Sequence, residues 1–135
     1  MRDSMFTKVL WNIPAYVAAI ILVQTLYFKF TAQPESVYIF ETLGMEPIGR
    51  IGSGIAELVA AILLIIPRTS LYGAFMSLGV ISGAIFFHLT KLGIVIKDDG
   101  GTLFILAVVV FICSLLVVLR EKKHLTSIIQ RFSKK

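Results

Sequence analysis

Apolar and polar positions are spread unevenly along this chain. Four long apolar runs, at about 13–30, 48–66, 71–89 and 102–119, are separated by shorter polar segments. Each run holds roughly 18 or 19 residues, enough at a helical rise of about 1.5 Å to cross a hydrocarbon core of about 30 Å with little tilt. The runs are apolar nearly all round rather than along one stripe, which suits helices surrounded by lipid and by one another. Lipid offers no partners to open backbone groups, so helices are the expected structure. The predicted fold class is all-α, an integral membrane four-helix bundle.

The polar segments predict how the runs connect. Pro14 is tolerable in a first helical turn, where its missing N–H costs nothing. The first run is too long for the apolar core of a signal peptide, and no clear cleavage site follows it. Pro67 ends the second run, and Pro67-Arg68-Thr69-Ser70 reads as a tight turn that makes runs two and three an antiparallel hairpin. Lys97-Asp98-Asp99-Gly100-Gly101 carries strong turn chemistry before the fourth run. The first connection, Thr31 to Pro47, is longer. Its middle, Val37 to Leu43, mixes apolar and acidic residues and reads as a short helix on the membrane surface or folded over the mouth of the bundle. Residues 1–120 thus form a four-span transmembrane domain and 121–135 a basic tail. In that tail Leu125, Ile128, Ile129 and Phe132 recur at helical spacing, as in an amphipathic helix lying on an anionic leaflet, or docking a cytosolic partner.

Composition sharpens this. The chain has 135 residues, 57% hydrophobic and 16% charged, with a formal net charge of +5. In a soluble protein that charge would raise nucleic acid as a partner; here the basic residues gather on one side of the spans, so orientation explains them and no nucleic acid is expected. Arg2, Lys8, Arg68, Arg120, Lys122, Lys123, Arg131, Lys134 and Lys135 share one side. Lys29, Arg50, Lys91 and Lys97 share the other with Glu35, Glu41, Glu46, Asp98 and Asp99. The positive-inside rule then predicts a multi-pass protein of the cytoplasmic (inner) membrane with both termini cytoplasmic. Trp11 and Tyr72 fit an inner aromatic belt, and Tyr27, Phe28, Phe30, Phe86 and Phe87 an outer one. Cys113, the single cysteine, excludes an internal disulfide or a CxxC pair and reads as a small buried apolar residue.

Polar groups inside spans are costly and therefore informative. They are Gln24, Arg50, Glu57 and His88, with Lys29 and Lys91 at span ends. Glu57 lies nine residues into the second run, roughly 13 Å from its outer end at helical rise. Arg50 precedes it by two turns on the same face, too far for a direct helical pair without a bend, a water or a third group. The hairpin sets His88 near the level of Gly49 to Gly52, and Gln24 is at intermediate depth. By depth, Glu57, His88, Arg50 and Gln24 can converge on one outward-facing polar pocket, a candidate ligand site. Structural readings stay open beside this: a protonated Glu57 bonded to a neighbouring helix, an interfacial His88, Arg50 and Lys29 snorkelling to headgroups, and Gln24 as interhelical glue. Gly52, Ala56 and Ala60, and the Gly79/Gly83 GxxxG, predict close helix contact and leave a homo-oligomer seam open. His124 sits in the tail, away from His88, which makes an in-chain bis-histidine haem improbable. No metal set, HExxH, P-loop or catalytic triad can be placed, so standalone catalysis is not expected.

Several of these segments together resemble the DoxX-like family of small four-span membrane proteins. The likeness spans roughly residues 10 to 120. It rests on Leu26-Tyr27-Phe28-Lys29-Phe30, Leu43-Gly44-Met45, the glycine-rich run from Gly49-Arg50 through Ala56-Glu57-Leu58, Leu63-Leu64-Ile65-Ile66-Pro67, Gly73-Ala74 and His88. The resemblance implies a four-helix bundle in the cytoplasmic membrane, with Glu57 at the family's glutamate. Some relatives are subunits of thiosulfate:quinone oxidoreductases, others belong to membrane redox or thiol-stress complexes, and animal relatives assist receptor assembly. Redox branches of the family carry paired cysteines, which this chain lacks. The expectation is an accessory subunit of a membrane redox complex that binds a quinone-like or other small amphiphile or holds a redox partner protein. An assembly factor or scaffold with no small-molecule site is the alternative. A small proton-coupled transporter fits less well, since the small multidrug resistance proteins carry their glutamate in the first span.

Overall fold

A computed structural model describes residues 5–97 and 99–133, with the side chains of 5–8 and 122–125 left out. Arg2, Asp98, Lys134 and Lys135, and the side chains of Lys8, Lys122, Lys123, His124 and Leu125, therefore lie outside the description. Six α-helices follow in order: α1 (Met5–Phe30), α2 (Pro34–Thr42), α3 (Ile48–Ile65), α4 (Ser70–Phe87), α5 (Thr102–Arg120) and α6 (Lys122–Ser133). A π turn, His88–Leu92, continues α4. Helices α1, α3, α4 and α5 are long and apolar enough to cross a membrane. The protein is an all-helical, multi-pass membrane bundle.

The helix ends follow local chemistry. Pro34 opens α2, where its missing N–H is no loss. Gly44 leaves that helix with a φ of 74° and Gly93 ends the π turn with a φ of 81°, conformations open to glycine without a Cβ penalty. Asp99 caps α5: its Oδ1 accepts the backbone N–H groups of Ile96 and Gly101 and its Oδ2 that of Leu103. Helix α1 starts well before residue 13, so Pro14 lies in its interior rather than its first turn. The Leu10 carbonyl loses its intrahelical partner there.

The spanning helices form a ring in which α1 packs on α3, α3 on α4, α4 on α5 and α5 back on α1. Its core is built largely from small residues: Ala15, Ala18 and Ala19 of α1, Ala60 and Ala61 of α3, Ala74 of α4 and Ala107 of α5, with Leu22, Leu64, Val110 and Val117. Gly73 sets the closest approach, since a Cβ there would lie 2.6 Å from the Leu64 backbone nitrogen and 2.9 Å from the Ala60 carbonyl oxygen. Packing and interhelical hydrogen bonds hold such contacts in lipid, where the hydrophobic effect between helices is weak. The buried hydroxyls of Ser77 and Ser114 bond at 2.9 Å between α4 and α5. Nearby, the Arg120 guanidinium donates to the Trp11 carbonyl and to Ser70 Oγ, joining α5, α1 and the start of α4. The start of α1 and the end of α5 thus lie at one end of the bundle.

Two expectations about small residues need correction. Gly79 and Gly83 form no helix seam: a Cβ on either would meet nothing within 4 Å. Gly52 is exposed, and a Cβ there would likewise meet nothing. Of the second-span stripe, Ala60 is the member in the core. Cys113 is half-buried.

At the opposite end from Arg120, α2 lies across α1, α3 and the π turn, folded over the mouth of the bundle. Helix α6 touches α5 and leaves Ile129 and Phe132 exposed.

Candidate functional site

Beneath α2, the four spanning helices part around a cavity of about 690 Å³. Its walls are mostly apolar, with Leu22, Ile81, Ala107 and Val110 toward the bundle core. Gly79 and Gly83 face it, which explains why their missing side chains leave open space rather than a tight contact. Phe40 of α2 and Leu43 just after it cover the cavity, and Phe28 and Phe87 add aromatic surface.

Apart from Glu35 and Ser36 on α2, the main polar groups of the wall form two clusters. The first joins α1 to α3. Thr25 and Lys29 lie one turn apart on α1, Ser53 and Glu57 one turn apart on α3, so each pair shares a face. Lys29 Nζ donates to Glu57 Oε1 at 2.6 Å and to Ser53 Oγ at 3.1 Å. Thr25 Oγ1 is 3.2 Å from Glu57 Oε2 and 2.8 Å from the Leu22 carbonyl oxygen, and its one proton serves one of them at a time. The Lys29 and Glu57 side chains are 15% and 6% exposed, so this is a buried ion pair. The desolvation of both charges offsets much of their attraction, so the pair is poor evidence of added stability, but neither charge tolerates loss of the other. The Lys29 ammonium also sits 5.5 Å from the Phe40 ring centre, tying α2 to the pair.

The second cluster lies where α4 gives way to the π turn. His88 borders the cavity, its Nδ1 2.9 Å from the Gly93 carbonyl oxygen and its ring edge-on to Phe104. Asp99 lines the same region. Partial burial pushes the Asp99 carboxyl up, but its three backbone N–H donors and the nearby His88 outweigh that and hold it below the ordinary carboxylate value. Lys97 reaches over the Tyr38 ring at 5.2 Å, pinning this loop to α2.

The four residues expected to share a pocket separate into two groups. Glu57 and His88 line the same cavity. Gln24 does not: it is exposed on the outer surface of α1, while its neighbour Thr25 turns inward. Arg50 is buried but lies outside the cavity lining. Its guanidinium pairs with Glu46 at 2.8 Å and donates to the Lys29 carbonyl, so it satisfies the C-terminal end of α1 rather than balancing Glu57. Neither Lys29 nor Arg50 snorkels to headgroups; each has a carboxylate within the protein. The partner of Glu57 that sequence reading missed is Lys29, supported by Thr25 and Ser53. A signal for it exists in two polar i,i+4 pairs, 25/29 and 53/57, on otherwise apolar helices. Among the described residues no group of three His, Cys, Asp or Glu side chains converges to hold a metal.

Comparison of the chain with protein-family models, with curated proteins and with solved structures yields no match.

Proposed function

We propose that the cavity under α2 binds a small amphiphile with a polar head and an apolar body. We further propose that the protein is a DoxX-like accessory subunit of a redox complex in the cytoplasmic membrane, with both termini inside and a quinone-like molecule as ligand. The observation that carries this reading is a single space of about 690 Å³ with apolar walls and two polar clusters. Its volume lies within the roughly 300–1,000 Å³ of small-molecule sites. Lys29 supplies N–H donors at one cluster and His88 a ring nitrogen at the other, an arrangement suited to a ligand with polar atoms on a flat apolar body. The excess of basic residues on the Arg120 side supports cytoplasmic termini. A scaffold without a ligand would be served by the packing seen at the other end of the bundle, and the open cavity favours the binding reading over it.

The test is binding of a short-chain benzoquinone to the purified protein in lipid nanodiscs, followed by calorimetry. Saturable binding is expected in the wild type. Gly83→Leu, which fills the cavity where nothing stands within 4 Å of the Cβ, should abolish it. Glu57→Gln should weaken it about tenfold, a loss of about 1.4 kcal/mol. Binding that survives Gly83→Leu unchanged would place the ligand elsewhere, and no saturable binding in the wild type would favour the scaffold.

A further inference from the structure

His88 combines burial, a fixed orientation and an unused ring nitrogen. It is 5% exposed and borders the cavity. Its Nδ1 faces the Gly93 carbonyl oxygen at 2.9 Å. A carbonyl can only accept, so Nδ1 carries a proton, and in the neutral ring Nε2 is left as an acceptor. The T-shaped contact with Phe104, at 5.5 Å between ring centres, holds the ring edge-on beside that tether. Among the described residues, no group donates to Nε2. Nε2 is not among the fully enclosed unpaired atoms, so it keeps access to the cavity, where a ligand hydroxyl can donate to it.

The other cluster differs in kind. Glu57 already accepts from Lys29 and lies within reach of Thr25. Asp99 is occupied by three backbone N–H groups. Glu35 of α2 also lines the wall without a described donor, but it is only half-buried, whereas His88 is buried. His88 is thus the buried side chain of the wall that keeps an acceptor without a described protein donor, and Phe28, Phe40 and Phe87 add aromatic surface to the same cavity.

We propose that His88 Nε2 accepts a hydrogen bond from a hydroxyl on the bound amphiphile, so that the cavity prefers a neutral, phenol-type head to its methyl ether. This inference rests on the ligand-binding reading of the cavity. It adds the protonation state and donor character of the head, and names His88 as the residue that reads them.

The experiment compares 4-octylphenol with 4-octylanisole, which share a ring and chain and differ in the methyl group that replaces the hydroxyl proton. Binding to the wild-type protein in nanodiscs is measured by calorimetry, with Gly83→Leu protein as the control for partition into lipid. The phenol should bind about tenfold more tightly. His88→Asn sets an amide nitrogen where Nδ1 stood, so the Gly93 tether survives while Nε2 is lost, and the preference should fall to about onefold. Thermal unfolding of His88→Asn checks that the fold is intact, and Glu57→Gln should keep the preference. Equal binding of both ligands to the wild type would overturn the proposal, with apolar burial alone responsible. Tighter binding of the anisole would also overturn it, by showing a ring whose Nε2 donates. A preference retained in His88→Asn but lost in Glu57→Gln would reassign the acceptor to Glu57. If neither ligand binds above the control, the cavity reading itself fails and this inference falls with it.

Discussion

The two ends of the bundle use the same residue types for opposite purposes. At the Arg120 end, Gly73 lets α4 press on the α3 backbone, and Ser77 and Ser114 bond to each other in the interior. At the α2 end, Gly79 and Gly83 of that same α4 meet nothing and border open space. A small residue in a membrane helix is therefore not in itself a packing device. It closes a contact when a neighbouring backbone stands opposite and opens a cavity when none does. The polar groups divide in a similar way: the hydroxyls of Ser77 and Ser114 and the two terminal nitrogens of Arg120 bond within the protein at one end, though Arg120 Nε has no hydrogen-bond partner, while His88 keeps a ring nitrogen unused at the other.

The sharpest way to break this contrast is at the buried ion pair. Lys29→Met should strand Glu57 without its cation and destabilise the protein by about 3–5 kcal/mol, whereas Lys29→Met combined with Glu57→Leu should recover most of that loss. Denaturant titration in mixed micelles measures both, and a double variant no better than the single one would show that the pair contributes by itself. Next in size, Gly73→Ala should cost about 1–3 kcal/mol by overpacking against backbone that cannot yield. The same substitution at Gly83 should instead raise stability by about 0.5–1 kcal/mol, because the helix gains alanine's propensity with no clash. Equal signs for these two alanines in thermal unfolding would erase the distinction between the ends.

A pH effect of intermediate size belongs to Asp99. Its folded-state pKa lies below the ordinary value of about 3.9, so its contribution is fully present above that value and is lost as pH falls through the lower folded value. Asp99→Asn should remove this acid-side dependence and cost about 1 kcal/mol near neutral pH, as loss of a helix cap does. Unfolding midpoints between about pH 2 and 6, a window bracketing that ordinary value, measure it, and an unchanged acid limb in the variant would assign the dependence to other carboxylates.

Most of the fold was legible because lipid imposes long, all-round apolar runs, and the four spans, the α2 cover and the tail helix follow from them. The ends were less so. The start of α1 and the π turn after α4 depend on weak local preferences that composition does not resolve. At the site, depth along a helix can be counted but facing cannot be counted as safely: Gln24 and Thr25 differ by one residue and about 100° of rotation, and Thr25 faces inward. Arg50 and Glu57 share a helix face, yet Arg50 found the nearer Glu46 and the α1 carbonyl, leaving Glu57 to Lys29 from another helix. That pairing depends on how α1 and α3 slide past each other, which no single run of residues encodes.

The ring of helices also bears on how the protein is made. Because α5 packs back on α1, and Arg120 of α5 reaches Trp11 of α1, the ring closes between the first and fourth spanning helices. Until the fourth span has entered the bilayer, Ser77 lacks its Ser114 partner and one side of the growing assembly stands open to lipid or to a chaperone. A chain halted after its third span would therefore lack both this bond between α4 and α5 and the Arg120 contact that closes the ring.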